Sequence, residues 1–159
     1  MKYSKYLIAI VILLNGCAKN RLNLMHKNSN NLLGNWYHKE KKSLNSNVYI
    51  NITNKEQFFK NGTLLSTKWF NFKSRDGKDL GEFYITKLFT WQKDSNTIKA
   101  TFNRCNTSVT KKLLVDKKYY YDLSNNCKLQ KHSNKATLKG YRVLMNKLIL
   151  GDKLYNKVK

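Results

Sequence analysis

The chain has 159 residues, 31 Lys+Arg against 9 Asp+Glu and a formal charge of +22, with 41% hydrophobic and 13% aromatic residues. That apolar content excludes disorder for most of the chain, and the length suits one domain with a real core. No CxxC pair and no Cys/His spacing of a metal site is present, so neither metal nor cofactor is expected.

The chain begins MKYSKYLIAIVILLNGC, with Lys2 and Lys5 ahead of an apolar run from Tyr6 to Leu14. A basic start, a short apolar run and a small residue before a cleavage point read as a secretory signal. The run is too short for a stable bilayer span, which needs about 20 residues. Residues 1–16 are therefore set apart from the fold.

Leu14-Asn15-Gly16-Cys17 resembles the lipobox of bacterial lipoproteins, in which a lipoprotein signal peptidase cuts just before the cysteine. The resemblance implies that Cys17 becomes the mature N-terminus and carries thioether-linked diacylglycerol and an N-acyl chain. A thiolate alkylates readily, and several acyl chains at about 0.8 kcal/mol per buried CH₂ make an anchor that does not exchange. Ala18 stands where an Asp would imply inner-membrane retention, so a lipid-anchored envelope protein of the outer membrane is expected. The alternative is an ordinary signal peptide with an incidental cysteine.

With Cys17 lipidated, Cys105 and Cys127 form an even pair in an oxidising compartment, and a disulfide between them is expected. It would close a loop of about 20 residues and contribute on the order of 3 kcal/mol. Leaving out Lys2 and Lys5 still gives a charge of about +20, which opposes compaction unless it is screened or matched. The expected partners are the membrane through the anchor, an anionic lipid or glycan, a small amphiphile, or an acidic protein. Nucleic acid, the usual reading of such a charge, is not expected of an exported, tethered domain. Joint abundance of Lys and Asn also fits compositional drift in an AT-rich genome.

Residues 17–31 comprise the lipidated cysteine and a polar, Asn-rich tether. The folded domain, residues 32–159, opens at Leu32-Leu33-Gly34-Asn35-Trp36-Tyr37, with one helical turn expected near residues 31–35. Strands are predicted at residues 48–53, where Val48, Ile50 and Ile52 share a face, and at 57–59. Asn61-Gly62 signals a two-residue hairpin turn into residues 63–72. Asp76-Gly77 turns into residues 82–92, where Phe83 and Ile85 followed by Leu88 and Thr90 suggest a bulge or a change of face. Asp94-Ser95-Asn96 leads to residues 97–102. Strands at 109–115, 118–123, 136–145, 147–150 and 154–158 follow. About ten short strands spaced roughly 8–12 residues apart predict an all-β fold, a small antiparallel meander barrel or a sandwich.

Three stretches resemble the lipocalin and lipocalin-like families: Gly34-x-Trp36 early in the chain, Phe58-Phe59-Lys60-Asn61-Gly62-Thr63, and the closing residues 141–150 and 154–158. The resemblance is to small lipocalin-like bacterial lipoproteins in particular and implies an antiparallel barrel. In it Gly34 permits close backbone approach and Trp36 plugs the narrow end, which makes both structural.

Catalytic patterns are absent: there is no G-x-S-x-G, no H-E-x-x-H and no Gly-rich phosphate loop. His26 and His132 fall in polar stretches, and His38 beside Trp36-Tyr37 is expected to be a satisfied structural histidine. Asp76, Asp79, Asp94 and Asp152 sit at turn signals. A non-enzyme is expected. Lys111, Lys112, Lys117 and Lys118, with Tyr119, Tyr120 and Tyr121, set cations beside aromatic rings and form a candidate ligand site. The competing reading is a solvated hairpin with alternating tyrosines. Lys39, Lys41 and Lys42 are a second basic run, suited to an anionic membrane surface or simply exposed.

Two functions fit. One is an envelope lipoprotein whose barrel binds a small amphiphile or an anionic envelope component. The other is an inhibitor, immunity or exclusion lipoprotein with a filled barrel and a basic, protein-binding surface.

Overall fold

The computed structural model describes residues 31–129 and 136–158. The signal segment, Cys17, the tether up to residue 30, His26 and His132 lie outside the described residues. Asn31 and Leu32 are helical, and a strand begins at Gly34.

Eight antiparallel strands close into a barrel in sequence order. They are β1 (Gly34–Ser43), β2 (Val48–Phe58), β3 (Thr63–Ser74), β4 (Asp79–Asp94), β5 (Thr97–Lys111), β6 (Ala136–Leu144), β7 (Lys147–Leu150) and β8 (Lys153–Val158), with one helix, α1 (Lys118–Leu129), between β5 and β6. The seam pairs Asn35 with Val158, Trp36 with Lys157 and Tyr37 with Asn156. Closure gives every strand a neighbour on both sides, but the β1–β8 ladder spans only residues 35–37 of β1 and the β5–β6 ladder only residues 97–101 of β5.

The alternation along β2 explains the inner face. Ile50, Ile52, Asn54, Glu56 and Phe58 are all buried, while the intervening residues are partly exposed. The strands expected at residues 48–53 and 57–59 are therefore one, which ends at Phe58 and leaves Phe59 to the turn, because the inward register continues through polar Asn54 and Glu56. In β4 the inward phase likewise runs unbroken through Phe83, Ile85, Lys87 and Phe89, with Leu88 and Thr90 outward. The irregularity lies across from it, where Leu88 faces Arg104 and Phe89 faces Phe102, so Asn103 is the extra residue of a bulge in β5. The β2–β3 turn is longer than the two-residue form. Phe59 N–H donates to the Thr63 carbonyl (2.9 Å), Gly62 N–H donates to the Phe59 carbonyl (3.1 Å), and Gly62 takes φ 79°, which glycine adopts without strain.

Two expected strands give way to other structure. Residues 109–115 are not a separate strand: β5 ends at Lys111, and the chain then crosses close over Gly81. A Cβ at Gly81 would lie 2.5 Å from the Lys112 carbonyl oxygen, so glycine there lets the crossing settle, with Leu114 N–H donating to the Leu80 carbonyl (2.8 Å) and Leu113 buried. Residues 118–123 are helical. The Asp116 carboxylate accepts from the Lys118 N–H (2.9 Å) as an N-cap, and this overrides the strand preference of three tyrosines. Tyr120, Leu123, Ser124 and Cys127 then form an i, i+3, i+4, i+7 stripe against the barrel. Ser124 interrupts the apolar signal but is satisfied by Thr107 Oγ1 at 3.2 Å.

The disulfide joins Cys105 of β5 to Cys127 of α1, 22 residues apart. The helix thereby covers one end of the barrel. Below it Phe70 stacks on Phe83 (4.6 Å between ring centres), Tyr119 meets Phe70 and Phe72 edge-on, and Tyr120 does the same to Phe83. With Ile50, Ile52 and Ile85 these rings fill the helix end. Gly34 has φ 115° and Trp36 is fully buried, with Lys157 Nζ 5.1 Å from its ring centre.

Candidate functional site in the barrel cavity

The inward positions toward the opposite end leave a cavity of about 270 Å³. Its walls come from the far halves of the long strands: Phe58 of β2, Leu64 of β3, Phe89 of β4, Ile98, Ala100 and Phe102 of β5, and Leu150 of β7. The polar lining consists of Glu56, Ser66 and Lys87, with Thr137 and Lys139 of β6 on the solvent-exposed side. Glu56 lies opposite Trp36 and Ser66 in register, and Ser66 lies opposite Lys87. One cross-strand row therefore delivers all three polar groups to the same depth.

Glu56 is the unusual member. Its burial drives the carboxyl pKa up to about 7, although the Ser66 hydroxyl, Lys139, the Tyr155 hydroxyl and Lys153 pull the other way. Ser66 Oγ donates to Glu56 Oε1 at 2.9 Å. Tyr155 is itself pushed well above the ordinary phenol range, by burial first and then by the Glu56 charge. Lys87 is lowered, chiefly by burial and then by repulsion from Lys139. Near neutrality the floor therefore exchanges between a carboxylate and a carboxylic acid, beside two lysines.

A second polar layer separates this floor from the aromatic end. Lys153 Nζ donates to Glu40 Oε1 (3.2 Å), and Lys42 and Lys68 each approach the same carboxylate to 4.0 Å. Burial works to raise the Glu40 pKa, but Lys153 and its neighbours outweigh it and hold the carboxyl below its usual range. His38 Nδ1 is 2.8 Å from the Leu154 carbonyl oxygen, and its ring leans on Tyr155. The buried Asn54 amide nitrogen has no hydrogen-bond partner among the described residues.

Chemically, the walls accept hydrocarbon, and the floor and mouth accept a polar or acidic group. Two lysines against one carboxyl leave positive charge facing a guest. The roughly 150 Å³ that admits benzene in an apolar cavity sets the scale, so this space suits a short chain or a small ring system. Among the described residues no three His, Cys, Asp or Glu side chains converge as metal ligands.

The lysine–tyrosine group singled out from sequence lies at the other end. Lys111 is exposed and bonds Asp79 (2.8 Å), Lys112 is exposed on the crossing, and Lys117 and Lys118 are exposed at the start of α1. Tyr119 turns inward onto Phe70 and Phe72, whereas Tyr121 faces solvent. The structure gathers these residues around the helix and brings none of them to the cavity. Lys39 and Lys41 point outward from β1, while Lys42 is directed to Glu40.

Glu56, Ser66, Lys87 and Lys139 were missed from sequence. The signal for Glu56 was there: it sits four residues beyond Ile52 in an alternation that also takes in Phe58. No family model matches the chain, and no curated protein matches it.

Proposed function

We propose that the chain is a membrane-anchored envelope lipoprotein, non-enzymatic and lipocalin-like, whose barrel holds a small amphiphile. The anchor is Cys17, after cleavage of residues 1–16, and the outer membrane is the location this reading favours. The observation that carries the binding role is the cavity itself: apolar walls with one buried acid and two lysines at its polar end. A barrel acting only through its surface has no need of such an interior, since small barrels are otherwise filled by side chains. The aromatic end is filled in that way; this end is not.

A guest with a short apolar body and an acidic head matches the excess of Lys87 and Lys139 over Glu56. Octanoate serves as the probe, with native mass spectrometry and calorimetry as readouts. The expected result is a one-to-one adduct that is lost when Ala100→Phe fills the cavity. Equal binding by the filled variant would remove the cavity from the reading and favour a surface-acting lipoprotein.

A further inference from the structure

The outer face of β1–β4 carries a second concave surface, unrelated to the interior cavity. Three cross-strand rows lie side by side there. The first is Tyr37, Lys55, Thr67 and Thr86; the second is Lys39, Thr53, Trp69 and Tyr84; the third is Lys41, Asn51, Asn71 and Glu82. The outside of a closed barrel is convex, so a trough there needs short side chains walled by long ones. Asn51, Thr53 and Asn71 supply the short ones between Tyr37, Lys55 and Trp69, and the resulting hollow measures about 410 Å³. An adjoining hollow of about 390 Å³ shares Asn51 and Thr53 and extends to Lys39 and Lys41. Four strands about 4.8 Å apart make the combined trough roughly 14 Å across, which suits an extended chain better than a single small molecule.

The chemistry of the lining is specific in type. Trp69 and Tyr84 are cross-strand neighbours and, like Tyr37, remain partly exposed on an outer face with no core to fill. Such rings offer flat apolar surfaces against which the C–H face of a pyranose can lie. Between them stand amides and a hydroxyl, which bond sugar hydroxyls as both donors and acceptors. Two acids line the trough and both are engaged: Glu82 accepts from Thr110 (2.8 Å) and Asn71 (3.4 Å), and Glu40 accepts from Lys153 (3.2 Å) with Lys42 and Lys68 4.0 Å away. Lys39, Lys41 and Lys55 therefore remain in excess, with Lys55 Nζ 5.6 Å from the Tyr37 ring centre and Lys41 Nζ 3.6 Å from that of Tyr49. Positive charge beside partly exposed rings and hydroxyl-binding groups selects an occupant that is a sugar chain and an acid together.

We propose that this outer trough binds an acidic polysaccharide, with Trp69 and Tyr37 stacking on sugar rings and Lys39, Lys41 and Lys55 pairing with its carboxylates or phosphates. The test is affinity electrophoresis of the full chain, held in neutral detergent micelles, through gels containing polygalacturonate or neutral dextran. Retardation by polygalacturonate and not by dextran is expected. Trp69→Ala and Tyr37→Ser leave the net charge unchanged and should each weaken retardation roughly tenfold or more, and Lys55→Gln should weaken it several-fold. Lys117→Gln with Lys118→Gln, at the far end, should matter little. If both aromatic variants are retarded like the parent, or phosphatidylglycerol in the micelles competes as well as the glycan, bare charge is responsible and the proposal falls. Two aromatic variants on different strands keep the test decisive if one of them fails to fold.

Discussion

At the helix end of the barrel, Phe70, Phe72 and Phe83 pack ring on ring, Tyr119 and Tyr120 close over them, and a disulfide holds the cover in place. At the other end Phe58, Leu64, Phe89 and Phe102 line a space they do not fill, above a carboxyl that burial has made reluctant to ionise. The same strands build both ends, so the difference lies in what reaches inward at each level. Aromatic rings opposite one another close the first, while Ser66, Ala100 and Glu56 leave the second open. One end is packed solid, and the other keeps an open space.

The contrast can be broken from the stable side first. Phe70→Ala should cost about 3–5 kcal/mol in denaturant unfolding, as deletion of a fully buried ring does. A cost near 1 kcal/mol would mean that the packed end is not the main source of stability. Removing the disulfide with Cys105→Ala and Cys127→Ala should cost about 3 kcal/mol, and it should raise amide exchange in α1 well before it does so in β2 and β3. Uniform loss of protection would show that the helix is no separable cover.

Glu56→Gln sharpens the comparison through pH. The carboxyl pKa rises from 4.5 to about 7 on folding, so the folded chain holds this proton more tightly than the unfolded one. Its stabilising contribution is full below 4.5 and is lost as the pH climbs through about 7, a difference on the order of 3 kcal/mol. Glu40, Asp76 and Asp79 move the opposite way, so the parent profile is a sum. The parent-minus-variant difference isolates Glu56. Glu56→Gln should therefore gain stability relative to the parent as the pH rises from about 4.5 to about 7, and keep that margin above it; parallel curves would place Glu56 in water. The smallest effect belongs to Ala100→Phe, which should stay within about 1 kcal/mol of the parent because it enters existing space. A loss of 3 kcal/mol would mean that this end is already full.

Much of the barrel was legible because inward residues of its strands are apolar and alternate, as with Val48, Ile50 and Ile52, and because turn residues such as Asn61-Gly62 and Asp76-Gly77 divide the strands. The helix was not. Its tyrosines favour strands, its buried stripe includes a serine, and the decisive cap is one aspartate whose effect depends on the crossing before it. The cavity was less legible still. Inward polar residues look outward in a hydrophobicity pattern, so Glu56 and Ser66 become visible only when the register of neighbouring strands is known. The disulfide was expected once Cys17 was set aside as the expected lipid carrier, which leaves an even pair and needs no geometry.

The seam between β1 and β8 has a consequence for the timing of folding. Residues 35–37 find their partners only at residues 156–158, so the ring cannot shut before nearly the whole chain has emerged. Until then β1 presents an unpaired margin to any passing strand, its own kind included. Contacts so distant in sequence make for slow closure. The proposed anchor, by crowding many copies on one membrane, would place those open margins side by side during the interval when they are most adhesive.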